Sequence, residues 1–335
     1  MKILSIDTSC DDTCVALLQV KKNNFKILSN VISSQVKLHA KYGGVYPSLA
    51  KREHQKNLPL VFKKVIKGCD MSKVDLIGVT VGPGLEPCLW QGINFAQNLA
   101  RQFKKPLILV NHLEAHILGN WLDNRKIFLP AICLVVSGGH TQLILMDRIG
   151  KYRVLGETRD DAAGECFDKV ARILGLGYPG GPIISKIAAT AKKSKIVLPR
   201  PMISQKNYDF SFSGLKTAVL YKYRSQSAKT RKSKKYIQEM CLEVQQAIID
   251  VLIKKTIKAA KDYHIKSIVL GGGVAANEEL RKQFKKKAKE AIPDSKLYIP
   301  DFKFCTDNAA MIGVAAFFAR SRKTKEIKAN ANLKI

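Results

Sequence analysis

The sequence has 335 residues but lacks any uninterrupted apolar run of about 18 residues, the length that a helix needs to cross a membrane. Its first residues, MKILSIDTSC, reach the charged Asp7 too soon for the apolar region of a secretory signal. These two absences predict a cytoplasmic protein without a membrane segment. The length exceeds that of one ordinary core and suits two lobes of about 150 residues each.

The 8 cysteines include no C-x-x-C pair, and several lie inside apolar runs. Disulfide frameworks belong to short secreted chains, and structural zinc sites need closely paired thiols. We therefore expect reduced thiols that pack as small hydrophobic side chains.

Acidic residues are scarce, because 27 Asp and Glu stand against 57 Lys and Arg and give a formal net charge of +30. Such a charge attracts polyanions, and nucleic acid is the obvious one. A general lysine bias would give the same number, so charge alone leaves a nucleic-acid partner open. The densest basic run, from Lys222 to Lys235, predicts either an RNA-facing arm or a solvated linker.

The same order of predicted secondary-structure elements occurs twice along the chain. Three short apolar segments joined by polar turns are followed by alternating helices and strands. The first set of segments is KILSI, CVALLQV and FKILSNVI, and the second is AICLVV, TQLILM and YRVLG. This order predicts an α/β fold with two lobes and a ligand cleft between them. We expect one lobe at residues 1–110, completed by about 305–335, and the other at 111–304.

Each set carries a polar turn after its first strand, DTSCDDT in one and SGGHTQ in the other. A third turn, in VLGGGVAAN, joins a strand to a helix whose first turn carries Asn277. Glycine and small residues let backbone N–H groups point at an anion, and a helix N-terminus favours negative charge. Together the turns favour phosphate binding, although similar turns also serve only to reverse the chain.

Two histidines share one helix face in NHLEAHIL, because His112 and His116 lie four positions apart. Asp307, in CTDNAAM, precedes the last helix and either caps it or completes a site with the histidines. Two His and one carboxylate suit non-haem iron or zinc. The alternative is that the two histidines only cap the helix or pack against its neighbours. The H-E-x-x-H pattern of a metallopeptidase is missing, since Leu113 follows His112.

An acidic segment interrupts the basic chain in GETRDDAAGECFDKVARILGLGYPGGP, from Gly156 to Pro182. Asp168 could accept hydrogen bonds from a ribose or another hydroxyl-bearing ligand, and the PGGP turn would bring backbone close to it. The alternative is an acidic helix start followed by a helix-ending loop.

Taken together, these segments resemble the tRNA N6-adenosine threonylcarbamoyltransferase family, formerly called O-sialoglycoprotein endopeptidases. The resemblance spans almost the whole chain. It is carried by DTSCDDT, SGGHTQL, GETRDDAAGECFDKVARILGL, YPGGP, FSFSGLKT, GGGVAAN and CTDNAAM. It implies the fold of actin and the sugar kinases, with two ribonuclease-H-like lobes. It also implies transfer of threonylcarbamoyl from threonylcarbamoyl-adenylate to the adenosine beside the anticodon, in tRNAs reading codons that begin with A, with the help of accessory proteins.

The same resemblance assigns roles to residues. A divalent metal, iron(II) or alternatively zinc, would be held by His112, His116 and Asp307. The substrate-binding set would be Val135, Val136, Ser137, Gly138, Gly139, Asp168, Gly181, Ser185 and Asn277. Ser185 stands where some members carry Asp. The proton acceptor is left open among Asp7, Asp12 and His140.

The opening IDTSCDDTC departs from the family's usual I-E-T-S-C-D-E-T-G, so Asp7 and Asp12 replace two glutamates and Cys14 replaces a glycine. Three rival functions remain: a small-molecule kinase of the same fold, a metallopeptidase, and a non-catalytic scaffold. The histidine pair argues against the kinase, because phosphoryl transfer uses magnesium held by oxygen ligands.

Overall fold

The computed structural model describes residues 1–322 and 326–335 and divides into two compact units. Unit 1 comprises Met1–Ile127 and Pro300–Ile335, and unit 2 comprises Phe128–Ile299. The sequence predicts lobe boundaries near residues 110 and 304. Unit 1 runs on to Ile127, so it includes the helix that carries both histidines.

Unit 1 is built on a mixed five-stranded sheet. Its strands are β1 (Lys2–Asp7), β2 (Asp12–Lys21), β3 (Asn24–Ser34), β4 (Leu76–Gly82) and β5 (Leu107–Asn111). Their order is β3-β2-β1-β4-β5, with β1 antiparallel to β2 and parallel to β4. Every residue of β4 is buried, as the continuous apolar run of a central parallel strand requires. The edge strand β3 is largely exposed.

The α-helices in the described residues of unit 1 are α1 (Val36–Ala40), α2 (Pro47–Val65), α3 (Glu86–Gln102), α4 (His112–Leu118) and α11 (Ala309–Ala319). In α11 every residue except Phe318 is buried. A helix that is apolar on all sides is a core helix, and α11 packs against β1 and α4. The chain segment after residue 300 therefore completes the core of unit 1.

Unit 2 repeats this topology. Its strands are β6 (Ala131–Val136), β7 (Thr141–Arg148), β8 (Lys151–Glu157), β9 (Ser267–Gly271) and β10 (Lys296–Tyr298). The order β10-β9-β6-β7-β8 again places an antiparallel three-strand meander beside two parallel strands. The doubled meander and the α/β fold class predicted from the sequence are confirmed.

The helices of unit 2 are α5 (Ala163–Ile173), α6 (Gly180–Ala188), α7 (Ser213–Arg224), α8 (Ala228–Arg231), α9 (Lys234–Asp262) and α10 (Glu278–Ala291). The basic run from Lys222 to Lys235 spans the end of α7, all of α8 and the start of α9, so most of it is helical. Helix α7, within FSFSGLKTAVLYKYR, was not predicted. Within residues 1–322 and 326–335, no helix combines the length and apolar character that crossing a bilayer requires.

Candidate functional site

The helix that carries both histidines begins where β5 ends. The Asn111 side-chain oxygen accepts the backbone N–H groups of Leu113 at 2.8 Å and Glu114 at 3.2 Å, which caps α4. All seven residues of α4 are buried. The cap fixes where the first turn starts, and the helical period then places His112 and His116 on one face.

The carboxylate of Asp307 lies against both imidazoles. Its Oδ1 is 3.5 Å from Nε2 of His112 and 3.2 Å from Nε2 of His116. One candidate ligand atom from each residue falls within 4.8 Å of the other two. Asp307 does not cap the last helix, because Asn308 accepts the N–H of Met311 in that role. The alternative reading of Asp307 as a helix cap is therefore wrong.

The chemistry of these three side chains fits a metal ion. Both ring nitrogens of His116 and Nδ1 of His112 are buried and make no hydrogen bond in the described part of the chain. Buried polar atoms without partners are costly, and in native proteins they usually have a ligand or a function. Two imidazoles and one carboxylate, with further positions open, match the donor set of mononuclear iron and zinc sites.

The side chains of this cluster shift one another's pKa values. Burial lowers the pKa of His112, but the carboxylates of Asp7 and Asp307 outweigh it and raise that pKa to about 9. Burial would raise the pKa of Asp307, yet the His112 charge and the proximity of both imidazoles hold that pKa well below its usual range. Burial lowers the pKa of His116, which keeps this imidazole neutral and able to bind a cation.

Asp7 is fully buried at the end of β1, and its Oδ2 lies 3.5 Å from Nδ1 of His112. Its carboxylate also accepts the backbone N–H of Ser9 at 3.2 Å and the Ser9 hydroxyl at 3.3 Å. Burial is the main cause of its raised pKa. Asp7 is thus placed to orient His112 from the side opposite Asp307, as second-sphere carboxylates do at metal sites.

Asp12, the first residue of β2, lies in the same turn. Burial, reinforced by the charges of Asp307 and Asp11, raises the pKa of Asp12 to about 7. The third proton-acceptor candidate, His140, belongs to unit 2, where its backbone N–H donates to the Ser137 hydroxyl at 3.1 Å. The structure therefore separates the three candidates between the two units, with Asp7 and Asp12 in unit 1.

Glu114, between the two histidines, is engaged elsewhere. Its carboxylate binds the guanidinium of Arg322 through two hydrogen bonds of 2.9 Å and 2.6 Å. Glu114 is only 4% exposed, so the pair anchors α4 to the C-terminal segment of unit 1. This pairing could not be predicted from the sequence, because its partners are 208 positions apart.

In unit 2 the predicted turn follows Val135 and Val136 at the end of β6. Ser137 N donates to the His140 carbonyl at 2.8 Å, so the turn is closed by its own backbone. Gly138 and Gly139 are exposed, and an added Cβ at either would meet nothing within 4 Å. Their backbone is therefore open to a ligand, as an anion-binding turn requires.

Two further glycines bring other motifs against this turn. A Cβ on Gly164, at the start of α5, would lie 2.6 Å from the Ser137 carbonyl oxygen. A Cβ on Gly272, which has φ +90°, would lie 2.3 Å from the Val136 carbonyl oxygen. Only glycine allows such close approach of backbones. The structure thus joins the SGGH, AGEC and GGGV motifs at one place, a reason for these glycines that the sequence did not reveal.

The remaining predicted residues lie on the helices of unit 2. Asp168, on α5, accepts the N–H of Gly180 at 2.7 Å, next to Gly181 at the start of α6. Ser185 is half-buried on α6. Asn277 follows a short 3₁₀ turn and caps α10 by accepting the N–H of Leu280 at 2.9 Å. Its amide also donates to Gln245 at 2.8 Å.

Comparison with known proteins gives a consistent result. The model of the family described as TsaD, tRNA N6-adenosine threonylcarbamoyltransferase, matches residues 26–314. A protein of that name from Thermosipho africanus is 49% identical, over 95% of this chain and 94% of its own. Those from Syntrophomonas wolfei and Geobacillus kaustophilus are 47% and 45% identical, over 94% and 98% of this chain and 91% and 95% of theirs.

Two solved structures share the fold at low sequence identity. Component A of Acidaminococcus fermentans (R)-2-hydroxyglutaryl-CoA dehydratase is 13% identical with a TM-score of 0.54, over 96% of this chain and 100% of its own. HypF of T. kodakarensis is 14% identical with a TM-score of 0.57, over 94% of this chain and 47% of its own. Both have the actin-like ATPase fold, and this chain shares it.

Proposed function

The chain belongs to the tRNA N6-adenosine threonylcarbamoyltransferase family, and from this membership we propose that it transfers a threonylcarbamoyl group to N6 of an adenosine in tRNA. The observation that carries the proposal is similarity over almost the full length, together with the cluster of His112, His116 and Asp307. We propose that the donor is threonylcarbamoyl-adenylate. The acceptor would be the adenosine next to the anticodon in tRNAs reading codons that begin with A. The reaction would take place in the cytoplasm, with accessory proteins of the pathway.

We assign the donor to unit 2. The open turn at Ser137–Gly139 would offer backbone N–H groups to the phosphate, and Val135 and Val136 lead into it. Asp168, Gly181, Ser185 and Asn277 would contribute the remaining contacts. The side chains of Asp168 and Asn277 also accept backbone N–H groups at the starts of α6 and α10. These two residues would therefore both shape the site and line it.

In unit 1, His112, His116 and Asp307 would hold one divalent metal ion, which we propose to be iron(II), with zinc as the alternative. When bound, such an ion supplies Lewis acidity toward an anionic leaving group. Asp7 would keep His112 oriented through its Nδ1, and the buried α4 would keep both imidazoles on one face. The three side chains would thus be held in place before substrate arrives.

The transfer forms a bond from N6 to the carbamoyl carbon and breaks the bond from that carbon to the phosphate oxygen of the adenylate. AMP leaves with the electron pair, and the proton on N6 must go to a base. Asp12 is the acceptor we favour, because a pKa of about 7 suits proton transfer at neutral pH. Asp7 is committed to His112 and Ser9, and His140 stays a candidate.

The rival enzymatic functions are each disfavoured by a specific contact. A metallopeptidase needs a free carboxylate beside its histidines, and the carboxylate of Glu114 is bound to Arg322. A kinase needs magnesium on oxygen ligands, whereas the clustered donors here include two imidazoles. A scaffold without catalytic activity would form no modified nucleoside in a reconstituted reaction.

The test is modification of tRNA in a reconstituted reaction. The purified chain is incubated with tRNA, threonine, bicarbonate, ATP, the synthase that makes the adenylate and the accessory proteins, and the nucleosides are analysed by mass. We expect threonylcarbamoyladenosine with the wild type and with the control His264→Ala, since His264 is exposed and outside the cluster. The His112→Ala/His116→Ala variant should give none. No product from the wild type would favour the scaffold, and full product from the double variant would reject the metal assignment.

A further inference from the structure

Two exposed tyrosines lie together between α1 and α2. Tyr42 is 55% exposed and Tyr46 is 56% exposed. Their ring centroids are 5.8 Å apart, and the rings are stacked with an interplanar angle of 29°. Nζ of Lys41 lies 5.2 Å from the centroid of the Tyr42 ring. Single exposed aromatic rings are ordinary, but a stacked pair presents a broad π surface to solvent.

The backbone beneath the two rings is held rigidly. The buried His39 accepts the N–H of Tyr46 on its Nδ1 at 3.3 Å, and its Nε2 lies 3.1 Å from the side-chain oxygen of Gln35. The carbonyl of His39 also accepts the N–H of Tyr42 at 2.9 Å. One buried residue, His39, therefore holds both tyrosines, Tyr46 through its imidazole and Tyr42 through its backbone carbonyl. A surface that is already ordered loses little conformational entropy when it binds a partner.

The surrounding charge is almost all positive. Residues 36–67 contain eight Lys and Arg and a single acidic residue, Glu53. The basic residues of this stretch that lie closest in sequence to the two tyrosines are all exposed: Lys37, Lys41, Lys51, Arg52 and Lys56. Aromatic faces set among cations are the combination that binds unpaired nucleic-acid bases, because the rings stack on bases while the cations attract the phosphates.

The tyrosine segment is tied to the acidic turn of unit 1. Gln35 N donates to the Asp11 carbonyl at 3.1 Å. In α2, His54 bridges to the same turn, with Nε2 at 2.9 Å from the Cys10 carbonyl and Nδ1 at 2.8 Å from the Thr13 hydroxyl. This turn begins at Asp7, which contacts His112. The segment that carries the rings is therefore hydrogen-bonded to the turn that follows Asp7.

We propose that Tyr42 and Tyr46 form a stacking platform for an unpaired base of the tRNA substrate. The inference rests on the proposed function, which supplies the RNA. An adenosine must leave its stack to be modified at N6. Stacking on an aromatic side chain replaces part of the base-stacking energy that an unstacked base loses. The platform would thus lower the cost of opening the RNA beside the reactive cluster.

The test compares tRNA binding and steady-state kinetics of three variants with the wild type. Tyr42→Ala/Tyr46→Ala should raise the Kd for tRNA, measured without donor, by about tenfold, and raise KM for tRNA with little change in kcat. Tyr42→Phe/Tyr46→Phe keeps the rings and should bind like the wild type. Tyr221→Ala is the matched control, since Tyr221 is 67% exposed beside the basic run from Lys222 to Lys235. It should also bind like the wild type.

The outcomes separate this inference from the proposed function. Modification by the double Ala variant with unchanged KM and Kd would overturn the platform and leave the proposed function standing. Tyrosine-dependent tRNA binding by a wild-type chain that modifies nothing would support the platform and contradict the proposed function. If the double variant binds tRNA normally but fails only when the accessory proteins are present, the rings contact a protein and the RNA platform is wrong. The far-ultraviolet circular dichroism spectrum checks that each variant is folded.

Discussion

The first turn of unit 1 and the first turn of unit 2 occupy the same position in the same topology, yet they differ in burial and charge. Residues 7–12 in unit 1 include three carboxylates that are wholly or largely buried, one of them in contact with His112. Residues 137–140 in unit 2 include no carboxylate and expose two glycines. The shared strand order puts a turn at each place, and the residues within the turn decide which charge it favours.

This contrast assigns opposite roles to the two units. Buried carboxylates and imidazoles suit a cation, because several of their polar atoms, among them both ring nitrogens of His116 and Oδ1 of Asp12, have no hydrogen-bond partner in the described part of the chain. Open glycine backbone suits an anion, because its N–H groups can converge on phosphate oxygens. The transfer proposed above would use both kinds of site, one for the metal ion and one for the phosphate of the adenylate.

The largest effect should come from changing Asp307 to Asn. The substitution keeps the size of the side chain but removes the charge that two imidazoles share with it. Loss of outer-sphere partners at metal sites typically costs 10- to 100-fold, so loss of a direct ligand should lower metal affinity and tRNA modification by about 100-fold or more. Metal titration and nucleoside analysis measure the two effects. An active Asn variant with normal metal content would contradict the cation site that we propose for unit 1.

The second prediction concerns the glycine turn of unit 2. Gly164→Ala should destabilise the protein by about 1–3 kcal/mol, because the added Cβ would press on the Ser137 carbonyl. Gly139→Ala is the matched control and should leave the thermal midpoint nearly unchanged, because its Cβ points into open space. We expect the control to raise KM for the adenylate instead. Equal thermal midpoints for both variants would show that the backbones do not approach as described.

The third prediction is a pH dependence of stability that arises from Asp12. Its pKa is raised from 3.8 to about 7, so between these values the folded state binds more protons than the unfolded state, and stability falls as pH rises. Asp12→Asn should therefore be more stable than the wild type at pH 8, by about 1–4 kcal/mol, and the gap should close near pH 4. Urea denaturation of the metal-free proteins at both pH values measures this. A gap that does not change with pH would mean that Asp12 is charged in the fold at no cost.

The parts of this structure that follow from local rules could be predicted from the sequence. The two meanders follow from short apolar runs and polar turns, and the shared face of His112 and His116 follows from the helical period. Helix α7 was missed because its mixed sequence has weak apolar periodicity, with only Leu215 and Val219 buried.

Long-range contacts were beyond the sequence. The Glu114–Arg322 pair and the approach of Gly164 to Ser137 depend on how separate segments pack. The residues alone left Asp307 open between a helix cap and a metal ligand beside the histidines, and only the family resemblance chose the ligand. The identity of the helix cap also required the structure, since Asp307 and Asn308 are both good cap residues and only Asn308 serves.

The most direct test of the cation site in unit 1 is anomalous diffraction from crystals of the protein grown with iron(II) under reducing conditions, and separately with zinc. We predict one strong peak within bonding distance of His112 Nε2, His116 Nε2 and the Asp307 carboxylate. A peak beside the Ser137–Gly139 turn instead, or no peak near the two imidazoles, would contradict the account.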